Sequence, residues 1–189
     1  MKLVFATNNK HKLAEAKSII GNDHEIVSLN DIGCNENLPE TGNTIRQNAS
    51  QKAMYVYEKY GVNCFADDTG LEIDALEGRP GVYSARYAGN DCDANRNIEK
   101  VLTELRDVAN RKAKFRTVIA LYINSEKHFF EGVVDGTILT ERKGSEGFGY
   151  DPVFCPDGNN LSFAEMTASQ KNAISHRGRA LEKMKGFLI

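Results

Sequence analysis

Two adjacent aspartates, Asp67 and Asp68, follow the apolar run Val62 to Ala66, which reads as a buried strand. Carboxylates at the carboxyl end of such a strand are costly unless they are paired, hydrogen-bonded or bound to a cation. Side chains alternate along a strand, so one of the two is expected to face a given cleft. Asp67-Asp68-Thr69-Gly70 is also good turn chemistry, and an Asx-type turn is the competing reading. Glu36 and Glu40 add oxygen donors of the kind that hold Mg²⁺, whereas no two of the four histidines stand four residues apart as zinc ligands would. A hard divalent ion, Mg²⁺, is the expected cofactor.

A second group is Thr7-Asn8-Asn9-Lys10-His11-Lys12, between a first strand and a first helix. Exposed N–H groups and the positive end of the helix dipole would suit a phosphate there, and an Asn or Thr cap followed by solvated lysines explains the same residues. Neither a dinucleotide fingerprint nor a P-loop is present. Ser145 to Pro152 places Phe148 and Tyr150 among glycines ahead of Asp151; the rings could stack on a base or serve as core anchors. Lys171, His176, Arg177 and Arg179 gather cations suited to a phosphate or a base carbonyl, or form a solvated helix face. Arg79, Arg86 and Tyr87 lie among turns and read as structural.

These groups need elements to hold them. Lys2 to Ala6, His11 to Ile20 and Glu25 to Leu29 give a strand–turn–helix–strand opening. Thr44 to Lys59 reads as a long amphipathic helix capped by Asn43 and stopped by Gly61, with Ile45, Ala49, Ala53, Val56 and Tyr57 inward. Ala94 to Ala109 is a further helix, Phe115 to Ile123 and Lys127 to Leu139 form an antiparallel hairpin, and Ser175 to Lys185 is a last helix. Crossover helices followed by a hairpin predict an α/β fold with a mixed central sheet and flanking helices, a cleft forming where loops at strand ends meet.

With 189 residues, 41% hydrophobic and 26% charged, the chain is expected to fold as one domain over residues 1–189. Its formal net charge of -2 gives no electrostatic footprint for nucleic acid or anionic lipid. No apolar run approaches the ~20 residues of a membrane span, and the start shows no signal-peptide pattern, so a cytoplasmic protein is expected. Cys34, Cys64, Cys92 and Cys155 are scattered singly and read as free thiols.

Thr7-Asn8-Asn9-Lys10, Leu38-Pro39-Glu40-Thr41-Gly42, Ala66 to Leu71, Arg79 to Tyr87, Gly147 to Pro152 and Ser175-His176-Arg177, in that order, resemble the inosine/xanthosine triphosphate pyrophosphatase family over essentially the whole chain. Asn8 stands where many relatives have glycine, and Thr69 where many have serine. The resemblance implies two lobes around a nucleotide cleft, Mg²⁺, a homodimer, and hydrolysis of ITP, dITP and XTP to monophosphate and pyrophosphate. It further implies that Thr7, Asn8, Asn9, Lys10, His11 and Lys12 hold the triphosphate and that Glu40 and Asp68 hold the metal. Asp68 would be the proton acceptor, and Thr69, Phe148, Gly149, Tyr150, Asp151, Lys171, His176 and Arg177 would contact the nucleotide. An aspartate bound to Mg²⁺ is a poor base, so Asp68 would take the two roles by turns or orient a water acidified by the metal. The rival readings are a Maf-type nucleotide pyrophosphatase and a non-catalytic purine nucleotide-binding module.

Overall fold

The computed structural model describes residues 1–189, with elements β1 (Lys2–Phe5), α1 (Lys10–Ile20), β2 (Glu25–Val27), α2 (Ile45–Tyr60), β3 (Cys64–Ile73), β4 (Pro80–Gly81), α3 (Ala94–Glu104), β5 (Lys112–Ile123), β6 (Glu126–Ile138), β7 (Phe154–Pro156), α4 (Ala168–Ile174) and α5 (His176–Phe187). The strands run in the order β2-β1-β3-β5-β6-β7, with β4 paired to β3. β1 pairs parallel with β2 and β3, while β4 on β3 and β7 on β6 are antiparallel, so the sheet is mixed as the sequence predicts. β5 and β6 are joined by Asn124-Ser125, both left-handed at φ 50° and 68°, the backbone of a two-residue hairpin turn.

The chain divides into two compact units, and β3, β5 and β6 each carry it from one to the other. The first unit comprises Met1–Asp68, Thr117–Gly132 and Arg177–Ile189. Its strands are apolar on both faces, but unequally. Leu3, Phe5, Phe65, Ile119, Leu121 and Ile123 point one way, onto Ala16 and Ile20 of α1 and Ala180, Leu181 and Met184 of α5. The alternate positions Val4, Ala6, Cys64, Ala66 and Ala120 point the other way, onto Ala49, Ala53 and Val56 of α2. Period-two alternation thus makes one bulky face and one small-residue face, and each selects its helices.

The second unit comprises Thr69–Arg116 and Val133–His176, with a single core. Ile98 and Val101 of α3, followed by Leu105, pack on Leu71, Ile73, Phe115, Val134 and Ile138 of the strands and on Phe154 and Phe163. Gly136 is required here by close approach: a Cβ on it would lie 2.4 Å from the Cys155 carbonyl oxygen and 2.6 Å from Phe154.

Several boundaries depart from the sequence reading. The cap of α2 is Thr44, whose hydroxyl accepts from the Gln47 N–H, and not Asn43, whose own N–H donates to the Gln47 side chain. α3 ends at Glu104 and not at Ala109, because the chain turns at Leu105 and passes through Asp107 at φ 60°. α4 was not expected; it is seven residues long and begins in a capping box formed by Thr167 and Gln170. Asp67 to Gly70 is no turn. β3 continues through it to Ile73, with Leu71 opposite Gly81 and its N–H bonded to the Ser84 hydroxyl.

Gly136→Ala is expected to cost about 1–3 kcal/mol through overpacking of the β6–β7 pair. Urea denaturation should show a lowered midpoint, and an unchanged midpoint would mean that the contact relaxes freely.

Candidate active site

Continuing the alternation of β3 beyond Phe65 and Ala66 places Asp67 on the face of α1 and α5 and Asp68 on the face of α2. The first unit therefore holds two charged groups, one on each face. Asp67 is 1% exposed. Its Oδ1 accepts from Lys12 Nζ at 3.0 Å and its Oδ2 from Arg177 Nε at 2.9 Å. Arg177, itself 2% exposed, donates from Nη1 to Glu15 at 2.6 Å. Burial alone would raise the Asp67 pKa, but Lys12, Arg177 and Lys52 outweigh it and hold the carboxyl well below the usual range. Burial lowers the pKa of Lys12, opposed mainly by Asp67.

On the other face, the inward positions of α2 include Asn48 and Lys52 as well as Ala49, Ala53 and Val56. Lys52 Nζ donates to Glu40 Oε1 and lies 3.9 Å from Asp68 Oδ1. Asn48 is hydrogen-bonded to Asp68 and also accepts the Gly42 N–H at 2.8 Å. Glu40 reaches this place because its loop is tied to α2: the Thr41 N–H donates to Gln51 Oε1, and a Cβ on Gly42 would meet Gln47 at 2.6 Å. Burial raises the Asp68 pKa above its ordinary value, Lys52 being the largest opposing influence. The Lys52 ammonium is conversely held above its ordinary pKa, its burial outweighed by Asp68, Glu40 and Asp67.

Of the residues singled out in the sequence, the structure thus gathers Lys12, Asp67 and Arg177 on one face and Glu40 and Asp68 on the other, and it adds Glu15 to the first and Lys52 and Asn48 to the second. Lys52 and Asn48 had a signal: polar residues at inward positions of an otherwise apolar helix face. Glu15 had none. Glu36 is not part of this group; its carboxylate is engaged by Lys59 and Tyr55 on the surface. Thr7 accepts the Asn9 N–H through its hydroxyl. Asn9 caps α1, accepting from the N–H groups of His11 and Lys12, while Asn8, Lys10 and His11 are exposed. The cap reading therefore holds for Asn9, but Lys12 is not a solvated lysine.

The second unit carries the other set. Asp151 Oδ2 accepts the Phe148 N–H at 2.9 Å and Lys171 Nζ at 2.7 Å, a pair in which both side chains are nearly enclosed. The Lys171 ammonium lies 4.7 Å from the centre of the half-buried Phe148 ring. Gly147 makes this possible, with φ 74° and no space for a Cβ, which would fall 2.1 Å from Asp151 Oδ2. Gly149 shares the left-handed conformation at φ 60°. Tyr150 belongs to the core and donates its hydroxyl to the Ser84 carbonyl, so what it offers a ligand is backbone. His176 is buried and stacks on Phe115 at 4.5 Å. Lys171, His176 and Arg177 are all buried, which removes the solvated-face reading; Arg179 is exposed. Thr69 is half-buried at the start of this unit.

The Ham1 family model matches residues 3–187. The chain is 55% identical over 189 residues to a dITP/XTP pyrophosphatase of Porphyromonas gingivalis, covering 100% of this chain and 97% of the relative. A protein of the same name from Flavobacterium psychrophilum is 52% identical, with coverage of 99% and 98%. Among solved structures, the Staphylococcus aureus Ham1 protein superimposes with a TM-score of 0.90 at 36% identity, covering 100% of this chain and 98% of that one. A HAM1 protein from Coxiella burnetii gives 0.91 at 38%, with the same coverage.

Lys52→Met tests the coupling on the α2 face. Loss of the ammonium raises the Asp68 pKa further above its unfolded value of about 4. A carboxyl with a raised folded pKa destabilises the fold above that pKa, and the loss is recovered as pH falls toward the unfolded value. Scanning calorimetry should show a melting-temperature deficit at about pH 8 that shrinks toward about pH 5. An equal deficit at both would separate Lys52 from Asp68.

Proposed function

Since the chain belongs to the Ham1 family, we propose that it hydrolyses non-standard purine nucleoside triphosphates, namely ITP, dITP and XTP, to the monophosphate and pyrophosphate. The observation that carries this reading is the Lys52 ammonium shared by Glu40 and Asp68, beside the Lys12–Asp67 pair. It sets two carboxylates next to held cations, groups that would position a water and neutralise a polyanion. A pure binding module needs the cations but no carboxylates converging beside them, and the family match disfavours a Maf-type enzyme.

Glu40 and Asp68 fit Mg²⁺. They already converge on one cationic group, and the first unit's cluster has four carboxylates against three cations. Mg²⁺ is commonly held by one or two carboxylates, with water and substrate phosphates completing its shell. When bound, the ion supplies charge neutralisation and acidifies water. Asp68 orients the attacking water toward the α-phosphorus, either taking its proton at a turn when it is not held by the ion or aligning a water that the ion has acidified. Lys10, His11 and Lys12, at the positive end of α1, attract and steady the departing pyrophosphate.

For the base, Phe148 offers a ring face, ordered by Asp151 and Lys171. Hypoxanthine and xanthine present a 6-oxo acceptor where adenine has an amino donor, so a buried donor aimed at O6 discriminates against ATP. Arg177 has Nε and Nη1 committed to Asp67 and Glu15, which favours His176 for that contact. Thr69 contributes its hydroxyl. The same reading makes the protein a cytoplasmic homodimer. No helix is long and apolar enough to cross a membrane.

Pyrophosphate release should be followed with ITP, dITP, XTP, GTP, ATP and dTTP, with and without Mg²⁺. Turnover confined to the first three and dependent on the metal is expected, and Asp68→Asn should lower kcat at least ~100-fold while leaving a cooperative melt. Orthophosphate as the first product, or an Asp68→Asn enzyme with more than about half of the wild-type kcat, a loss far smaller than that, would overturn the reading.

A further inference from the structure

Asp67 has both oxygens bonded and a nearly inaccessible side chain, so it is not placed to take a proton from water or to ligate an ion. Its partners form a closed circuit. Lys12 Nζ meets Asp67, Asp67 meets Arg177, Arg177 meets Glu15, and Glu15 lies on α1 three residues from Lys12, on the same helix face. Charges alternate around this ring, and the backbone of one helical turn closes it. Glu15 side-chain exposure is 13% and that of Lys12 15%, against 1–2% for the other two, so the ring is enclosed at Asp67 and Arg177 and opens slightly only along its α1 members.

Fold stability does not require such a ring, since well-packed apolar side chains of similar volume commonly serve as well or better. What a ring of fixed charges supplies is position. A lysine ammonium on a flexible stem is otherwise a mobile point charge. Resting on the pyrophosphatase reading above, we propose that Asp67 and Glu15 are positioning residues of the hydrolysis: through the Arg177 bridge they fix the Lys12 ammonium at one point, ready for the charge that develops on the leaving pyrophosphate. Asp67 acts through Lys12 and touches neither water nor metal. Pre-organised charge of this kind acts in the transition state, so its loss appears in kcat more than in KM.

A double-mutant cycle on ITP hydrolysis tests this, using Asp67→Asn, Lys12→Met and the pair, each checked by thermal melting. Asp67→Asn is expected to lower kcat roughly ten- to a hundredfold in the wild-type background. In the Lys12→Met background, where there is no ammonium left to position, the added loss should be under about threefold. A merely structural Asp67 would also couple to Lys12, since the two are in contact, but its kcat loss would track the melting temperature and vanish where every variant is fully folded; that outcome, or an equal factor in both backgrounds, would overturn the proposal. If Asp67→Asn does not fold, Glu15→Gln takes its place in the cycle, since it leaves the Asp67–Lys12 pair intact and loosens only the guanidinium. A severalfold kcat loss that vanishes in the Lys12→Met background supports the ring, and a loss that is equal in both or absent from both refutes it. Wild-type enzyme run alongside separates the two claims: no pyrophosphate from ITP, dITP or XTP defeats the functional reading, whereas an active wild type with multiplicative factors defeats only the positioning role.

Discussion

Two carboxylates one residue apart on a buried strand must leave the sheet by opposite faces, and each must then find its own cations. In β3 this divides Asp67 from Asp68 and calls up separate partners from separate helices. Lys12 and Glu15 come from α1, with Arg177 from α5, on one face; Lys52 and Asn48 come from α2 on the other. Removing one member of such a buried set strands an uncompensated charge, at a cost of about 3–5 kcal/mol.

The same alternation sorts the apolar residues. The bulky face of Leu3, Phe5 and Phe65 supports two helices, and the small face of Val4, Ala6, Cys64 and Ala66 receives Ala49 and Ala53 of α2. Small residues on both surfaces leave room for the long Lys52 stem to lie in the interface and bring its charged end to Glu40 and Asp68. Packing of the apolar layers and placement of the ions are one problem with one solution, because the positions are read off the same strand.

Environment then gives two adjacent aspartates different chemistry. For Asp67 the surrounding cations outweigh burial and keep it ionised far below the ordinary carboxylate range; for Asp68 desolvation outweighs Lys52 and Lys12, and the carboxyl is shifted upward. Neighbouring like groups thus have their pKa values pushed apart by the different surroundings of the two sheet faces. In the second unit the Asp151–Lys171 pair has a different task, ordering the Phe148 loop through a backbone N–H and a ring face.

Periodicity in the sequence was enough for the opening strand–helix–strand, for α2 and for the β5–β6 hairpin, because each is a local pattern of apolar residues bounded by caps and turn residues. The order of the short blocks was likewise enough for the family, and alternation alone foretold that Asp67 and Asp68 would part. The sequence could not say who meets them. Lys52 and Asn48 show only as polar interruptions of an apolar helix face, and Glu15, one of several acids on exposed-looking helices, shows nothing at all; Glu15 meets Arg177 162 residues further along the chain. Glu36 and Glu40, indistinguishable as donors in the sequence, were separated by tertiary packing, which tied one to Lys59 on the surface and the other to Lys52. Asp67-Asp68-Thr69-Gly70 looked like a turn because local propensity favours one; β4 and the Ser84 hydroxyl supplied the pairing that kept it a strand. Local pattern fixes which faces exist, and only the folded chain decides which charges share them, since an ion pair is satisfied by proximity in space and carries no period in sequence.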